Sequence, residues 1–171
     1  TLLCLSRDDF IAMMGDLEDL IKKTEDKRNL TAMPMFDQPG IRDYEISALA
    51  DLMEDNTFAE GHTFFEEGQP VTGDSRALFV VRKGSISMTN RQGMMHTLSQ
   101  GGYFGDDNVC DQSATIVAHN TVRAEEDCVV GVLTARAIES VLGTLQRLRR
   151  VGENATHPGN KLDRTVKITD L

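Results

Sequence analysis

Apolar and polar positions change period along the chain, and each change predicts an element. Phe10, Met13, Met14, Leu17, Leu20 and Ile21 recur every three or four residues, the spacing that gathers side chains on one helix face. Ser6, just ahead of them, is a natural N-cap because its hydroxyl can accept from an otherwise unpaired amide. The charged stretch Lys22 to Asn29 is predicted to continue this helix as a solvated connector, until Pro34 breaks it and Asp37-Gln-Pro-Gly40 turns the chain. Ile41 to Asp55 carries Ile41, Tyr44, Ile46, Leu49, Leu52 and Met53 at mixed three-and-four spacing and predicts a second helix. From Thr57 the texture becomes short alternating runs punctuated by glycine. Residues 78–84, 85–90, 94–98, 115–118, 121–124 and 128–133 read as strands, with Asn90-Arg-Gln-Gly93 as a hairpin turn. Helical spacing then returns at Ile138, Val141, Leu142, Leu145 and Leu148, behind a second hydroxyl cap at Thr134. Helices, an antiparallel β core and helices again imply a barrel or jelly roll.

The two flanking helices resemble each other. Leu5, Gly15, Leu17 and Leu20 recur about 128 residues later as Leu133, Gly143, Leu145 and Leu148, with Ser6/Thr134, Phe10/Ile138 and Met14/Leu142 similar in kind. A period that long suits tandem globular domains, not a solenoid. Residues 1–29 are therefore expected to be the C-terminal strand and helix of a preceding domain, 30–150 a complete domain, and 151–171 a linker to a following one. The chain lacks an initiating Met and is read as a piece of something longer.

Composition narrows the partners. The 171 residues are 40% hydrophobic and carry a formal charge of −9. That balance argues against nucleic acid and anionic membranes, which need a net cationic face. No apolar run approaches the roughly 18 residues of a membrane span, so no integral membrane segment is expected. Cys4, Cys110 and Cys128 are odd in number and form no CxxC pair. They read as buried or idle thiols in a reducing compartment, and a cytoplasmic location fits.

Three motifs in order carry a family likeness: Phe65-Glu-Glu-Gly-Gln-Pro70, Leu78-Phe-Val-Val-Arg-Lys-Gly84 and Gly101-Gly-Tyr-Phe-Gly-Asp106. Over roughly residues 30 to 150 the chain resembles the cyclic nucleotide-binding domain. The resemblance implies an α+β, mainly β fold: an eight-stranded β-roll or jelly roll flanked by N- and C-terminal helices. It also implies a phosphate-binding cassette at Phe104, Gly105, Asp106, Gln112, Ser113 and Ala114. In that family the cyclic phosphate sits on backbone amides at the start of a short helix. A glycine lets the backbone approach the ligand, a glutamate accepts the ribose 2′-hydroxyl, and an arginine grips the phosphate with its planar fork.

This cassette departs from the pattern. Gly105 fits the glycine. Asp106 stands where glutamate is expected and is one methylene shorter. The arginine is missing in either register: aligned through Gln112-Ser-Ala-Thr-Ile-Val117, Gln112 replaces it; aligned through Asn120-Thr-Val-Arg-Ala124, Ala118 does. Asp106, Asp107 and Asp111 add negative charge where a phosphate would lie. A buried phosphate without its partner forfeits about 2–5 kcal/mol, roughly 30- to several-thousand-fold in affinity. Arg76 and Arg123 are the substitute cations to consider. Ser113 could hydrogen-bond to a ligand amino group, as a Ser or Thr after the arginine does in cGMP-selective relatives; without the arginine before it, the favoured reading is a plain turn or strand serine. The cassette is therefore expected to be degenerate.

The closing segment Lys161 to Leu171 is similar to the lead-in of kinase domains. The whole looks most like the regulatory region of a protist cGMP-dependent serine/threonine protein kinase. The resemblance implies a regulatory, non-catalytic domain acting as a structural relay. Its partners would be neighbouring cyclic nucleotide-binding domains and the kinase domain of the same chain, with cGMP as the candidate allosteric ligand and no cofactor. The alternative is a working cGMP or cAMP sensor that releases kinase autoinhibition. A cupin-like metalloenzyme would need clustered ligands, but His62, His96, His119 and His157 are scattered without HxH or HExxH spacing. A transcription regulator would need a basic helix-turn-helix after the roll, where a polar linker stands instead.

Overall fold

The structure is a computed structural model describing residues 6–111, 113 and 115–148. Cys4, Gln112, Ala114, the expected strand at 1–5 and the expected linker 151–171 lie outside the described residues. Helix α1 (Arg7–Thr31) starts where its sequence says, with the Ser6 hydroxyl accepting from the Asp9 amide at 3.0 Å. A turn through Pro34 leads to α2 (Asp43–Asp51). Eight strands follow: β1 (Glu54–Phe58), β2 (Thr63–Phe65), β3 (Ala77–Lys83), β4 (Ile86–Thr89), β5 (Met95–Leu98), β6 (Tyr103–Phe104), β7 (Thr121–Ala124) and β8 (Cys128–Thr134). A short helix α3 (Asp106–Cys110) separates β6 from β7, and α4 (Ala135–Leu142) closes the domain. The strands form two antiparallel four-stranded sheets, β1-β8-β3-β6 and β2-β7-β4-β5. The expected β-roll with flanking helices is the observed architecture.

Strand β3 explains how the layers meet. Its alternation sends Ala77, Phe79 and Val81 into the roll interior and Leu78 and Val80 outward, against the helices. Both sets are buried, so β3 reads as an unbroken apolar run instead of an alternating one. The outward set shares a core with Leu30 at the end of α1 and Met33 in the turn after it, Ile46 and Leu49 from α2, and Ile138 and Leu142 from α4. Each such side chain contributes about 1.5–3 kcal/mol by leaving water. The roll interior gathers Phe65, Phe79, Phe104, Ile86 and Val130, together with the buried Cys128.

Several expectations need correction. The helix predicted over Ile41 to Asp55 stops at Asp51, and Glu54 and Asp55 open β1. Among the described residues that strand is a polar edge paired with β8 alone, and charged edge strands lack the apolar alternation that reveals them. Residues 115–118 make no strand. They meet the 68–71 segment at an isolated antiparallel bridge, Pro70 to Val117, flanked by backbone bonds from the Val71 amide to Ile116 and from the Ala118 amide to Gln69. The last helix ends at Leu142, where Gly143 takes the left-handed conformation at φ 76°, and Leu145–Arg147 form a separate 3-10 turn. Its repeat partner Gly15 lies inside α1, so the two segments share a cap and an opening turn but not a length.

The connector Lys22 to Asn29 is helical as expected, but one side of it is not solvated. Asp26 is 1% exposed and ion-paired with Arg82 of β3, whose guanidinium also reaches Asp55 at 3.3 Å. Lys22 completes the group with Asp55 at 3.0 Å. Breaking a buried pair by removing one partner strands a charge and costs about 3–5 kcal/mol. α1 is therefore fastened to the roll as well as packed on it.

A second arginine ties the other helices. Arg147 donates to Glu45 through both carboxylate oxygens, at 2.7 and 3.0 Å, and to the carbonyls of Leu142 and Gly40. Glu45 in turn accepts from the Arg42 amide at 2.8 Å, closing the start of α2. The hydrogen bonds from Arg147, followed by that from Arg42, hold the Glu45 carboxyl down at about 2, below its ordinary 4.5. Because the folded value is depressed, this stabilisation is complete above pH about 4.5 and is lost as pH falls towards about 2. Acid titration of thermal stability should thus show a loss of melting temperature across that window, and Glu45→Gln should flatten it while lowering stability at neutral pH.

Candidate functional site

The cassette begins where β6 ends. Phe104 is buried in an aromatic cluster, stacked on Phe79 at 4.8 Å between centroids and edge-on to Phe64 at 5.1 Å. Gly105 follows with φ 87° and serves as the N-cap of α3. Only glycine visits that region freely. A Cβ at this position would also overlap the carbonyl oxygen of Ala77 and crowd the Phe79 ring. The glycine is required by the neighbouring strand, whatever else approaches it.

Beside this turn is a cleft of about 30 Å³, open on one side to solvent. Phe65, Met88, Phe104 and Val122 contribute its apolar lining. Asp106, Asp107 and Asn108 of α3 and Ala118, His119 and Asn120, from the loop before β7, complete it. Among the described residues that line it, none is Lys or Arg.

Of the expected site residues, Phe104, Gly105 and Asp106 come together on the cleft. Ser113 does not: its amide and hydroxyl both donate to Asp111, the amide at 2.8 Å. These two bonds are the main reason the Asp111 carboxyl is held below its usual range. The strand expected at 121–124 is the observed β7, which pairs Thr121 with Thr89 and Ala124 with Ile86. Ala118, the residue of one register, lines the cleft, whereas Gln112 of the other lies outside the described residues. His119, Asn120 and Asn108 were missed by sequence reasoning, since no motif marks them. The start of β7 three residues after Ala118 was the available signal.

Neither substitute cation reaches the cleft. Arg123 alternates with Val122 and Ala124, so its side chain leaves the roll, and its Nε donates to the Gly61 carbonyl at 3.0 Å. Arg76 lies at the far end of α3, donating to the carbonyls of Asn108, Val109 and Asp111. Tyr103, next to Phe104, is turned to the helix side of β6 and buried. Burial, assisted by the charges of Asp106, Cys110 and Asp107, raises its hydroxyl above the ordinary value of 10.0 and keeps it neutral. Gly105→Ala should destabilise the domain by about 2 kcal/mol or more in urea unfolding, because it meets positive φ and a backbone clash together.

The sequence model of the cyclic nucleotide-binding domain matches residues 55–144, more than half of the chain. Similar solved structures include the regulatory domain of Toxoplasma gondii PKA co-crystallised with cAMP, at 22% identity and a TM-score of 0.54 over 83% of this chain and 53% of that one. Another is cAMP-bound PfPKA-R, at 20% identity and 0.53 over 83% of this chain and 47% of that one. A cyclic nucleotide-binding-like protein from Brucella abortus matches at 18% identity and 0.54, covering 70% of this chain and 99% of its own. This chain thus spans about half the length of the two PKA structures. No curated protein matches it. With the roll, the glycine turn and the matched segment in register, the chain belongs to the cyclic nucleotide-binding domain family.

Proposed function

We propose that this chain is a non-catalytic regulatory module of a cyclic nucleotide-dependent protein kinase, of the cytoplasmic cGMP-dependent class its motifs resemble. In this reading its own cassette does not hold a nucleotide, and the domain relays the state of its neighbours. The observation that carries it is the lining of the cleft: two aspartates and no Arg or Lys among the described residues. A cyclic phosphate placed there would meet repulsion where the family supplies a bidentate cation. The two candidate arginines, Arg123 and Arg76, are engaged elsewhere, on Gly61 and on the end of α3.

The repeat supports a tandem arrangement. Phe10 and Leu20 on α1 are 53% and 61% exposed, whereas their counterparts Ile138 and Leu148 are 0% and 3% exposed against the roll. In this reading the first turns of α1 belong to the end of a preceding domain, whose own roll covers them as this roll covers Ile138. The kinase domain of the same chain would follow 151–171.

His119 favours a second reading, a working sensor. Its imidazole lines the cleft and offers a ring N–H that a phosphate oxygen can accept. Calorimetric titration with cGMP and with cAMP separates the two. The relay reading expects no saturable heat at millimolar ligand. It also expects Ala118→Arg to create micromolar binding, a gain on the order of 30-fold or more, by restoring the missing cation. Saturable binding by the unmodified chain, lost in His119→Ala, would establish the sensor instead.

A further inference from the structure

Arg76 sits at the end of a short 3-10 turn (Gly73–Ser75), immediately before β3, and belongs to no motif. A helix leaves its last carbonyls without partners, and Arg76 gathers those of α3. Its Nε donates to Asn108 at 2.9 Å, and its Nη2 to Val109 at 3.2 Å and Asp111 at 2.5 Å. The positive charge also faces the negative end of the helix. The same residue's backbone carbonyl accepts from the amide of Ala135, the first residue of α4, at 2.8 Å. That bond extends the β3–β8 ladder one step beyond its last pair, Ala77 with Thr134.

One residue therefore holds the end of the cassette helix with its side chain and the beginning of the C-terminal helix with its main chain. We propose that Arg76 is the positioning residue that couples the two, so that α3 does not shift without disturbing the first turn of α4. The guanidinium is suited to this because its planar fork reaches three carbonyls at fixed spacing, which a single ammonium does not. The coupling gives the relay reading a physical route and rests on that reading for its purpose. As a property of the fold it exists without any ligand.

Coupling is reciprocal, so it can be driven from the α4 end. Thr134→Ala removes the hydroxyl that accepts from the Ala137 amide at 3.2 Å and touches neither α3 nor the Arg76 side chain. Amide hydrogen exchange on the chain carrying Arg76 should then quicken at Ala137 and also at Val109 in α3 and at Asp111, which caps it. The remote effect should be about 5-fold or more, while the β4–β5 hairpin stays unchanged. In an Arg76→Lys background the remote effect should vanish and the local one at Ala137 remain. An unchanged α3 in Thr134→Ala, or a remote effect that survives Arg76→Lys, would overturn the proposal. A uniform rise that includes the hairpin would overturn it too, since that reports global loosening. Should Arg76→Lys fail to fold, Arg76→Gln, which also cannot span the three carbonyls, serves as the second background with the same expected and overturning results. Nucleotide binding in calorimetry would sink the silent-cassette reading and leave this coupling standing.

Discussion

A strand buried on both faces organises this domain. β3 has the other sheet on one side and the helices on the other, so its successive side chains belong alternately to two cores. Close packing in both allows little sliding or rotation of the strand. Its ends are fixed as well: Arg76 precedes it and holds α3 and α4, and Arg82 near its far end reaches Asp26 of α1. The cassette, the N-terminal helix and the C-terminal helix are thus all referred to one rigid element.

Arginine does similar work at each helix junction. Arg82 joins α1 to the roll, Arg147 joins the end of α4 to the start of α2, and Arg76 joins α3 to β3. Two of the three satisfy helix-terminal carbonyls, which would otherwise face a partly apolar surface unpaired. Apolar contacts among Leu30, Leu49 and Ile138 supply the bulk of the attraction and little direction. The guanidinium bonds add direction, selecting one arrangement of the helices from the several that a greasy layer would tolerate.

Much of this was legible locally. Ser6 and Thr134 cap as their sequence predicts, and Asn90 accepts from the Gln92 and Met94 amides in the predicted hairpin turn. What stayed hidden depends on distant partners. Asp26 looks like one charge among many in a polar run, and only Arg82, far along the chain, marks it as buried. β1 is a strand because β8 offers it an edge, since Glu54, Asp55 and Asn56 have no β character of their own. Gly143 was visible, yet it was read through as part of a longer helix because Leu145 and Leu148 keep the period. In the site, Phe104 and Gly105 were found through their motif. Ala118 was visible as one of two open registers, and His119 carried no motif to place it in the site.

The turn at Gly105 separates two kinds of evolutionary pressure. A side chain there would collide with the carbonyl of Ala77, a part of the domain itself. A lineage that stopped using a nucleotide would be released from keeping an arginine on the opposite wall, yet it would still be held to this glycine by the need to fold. Signature matching that leans on the glycine therefore reports ancestry and architecture. Present-day ligand capture has to be judged from the wall that folding leaves free to change.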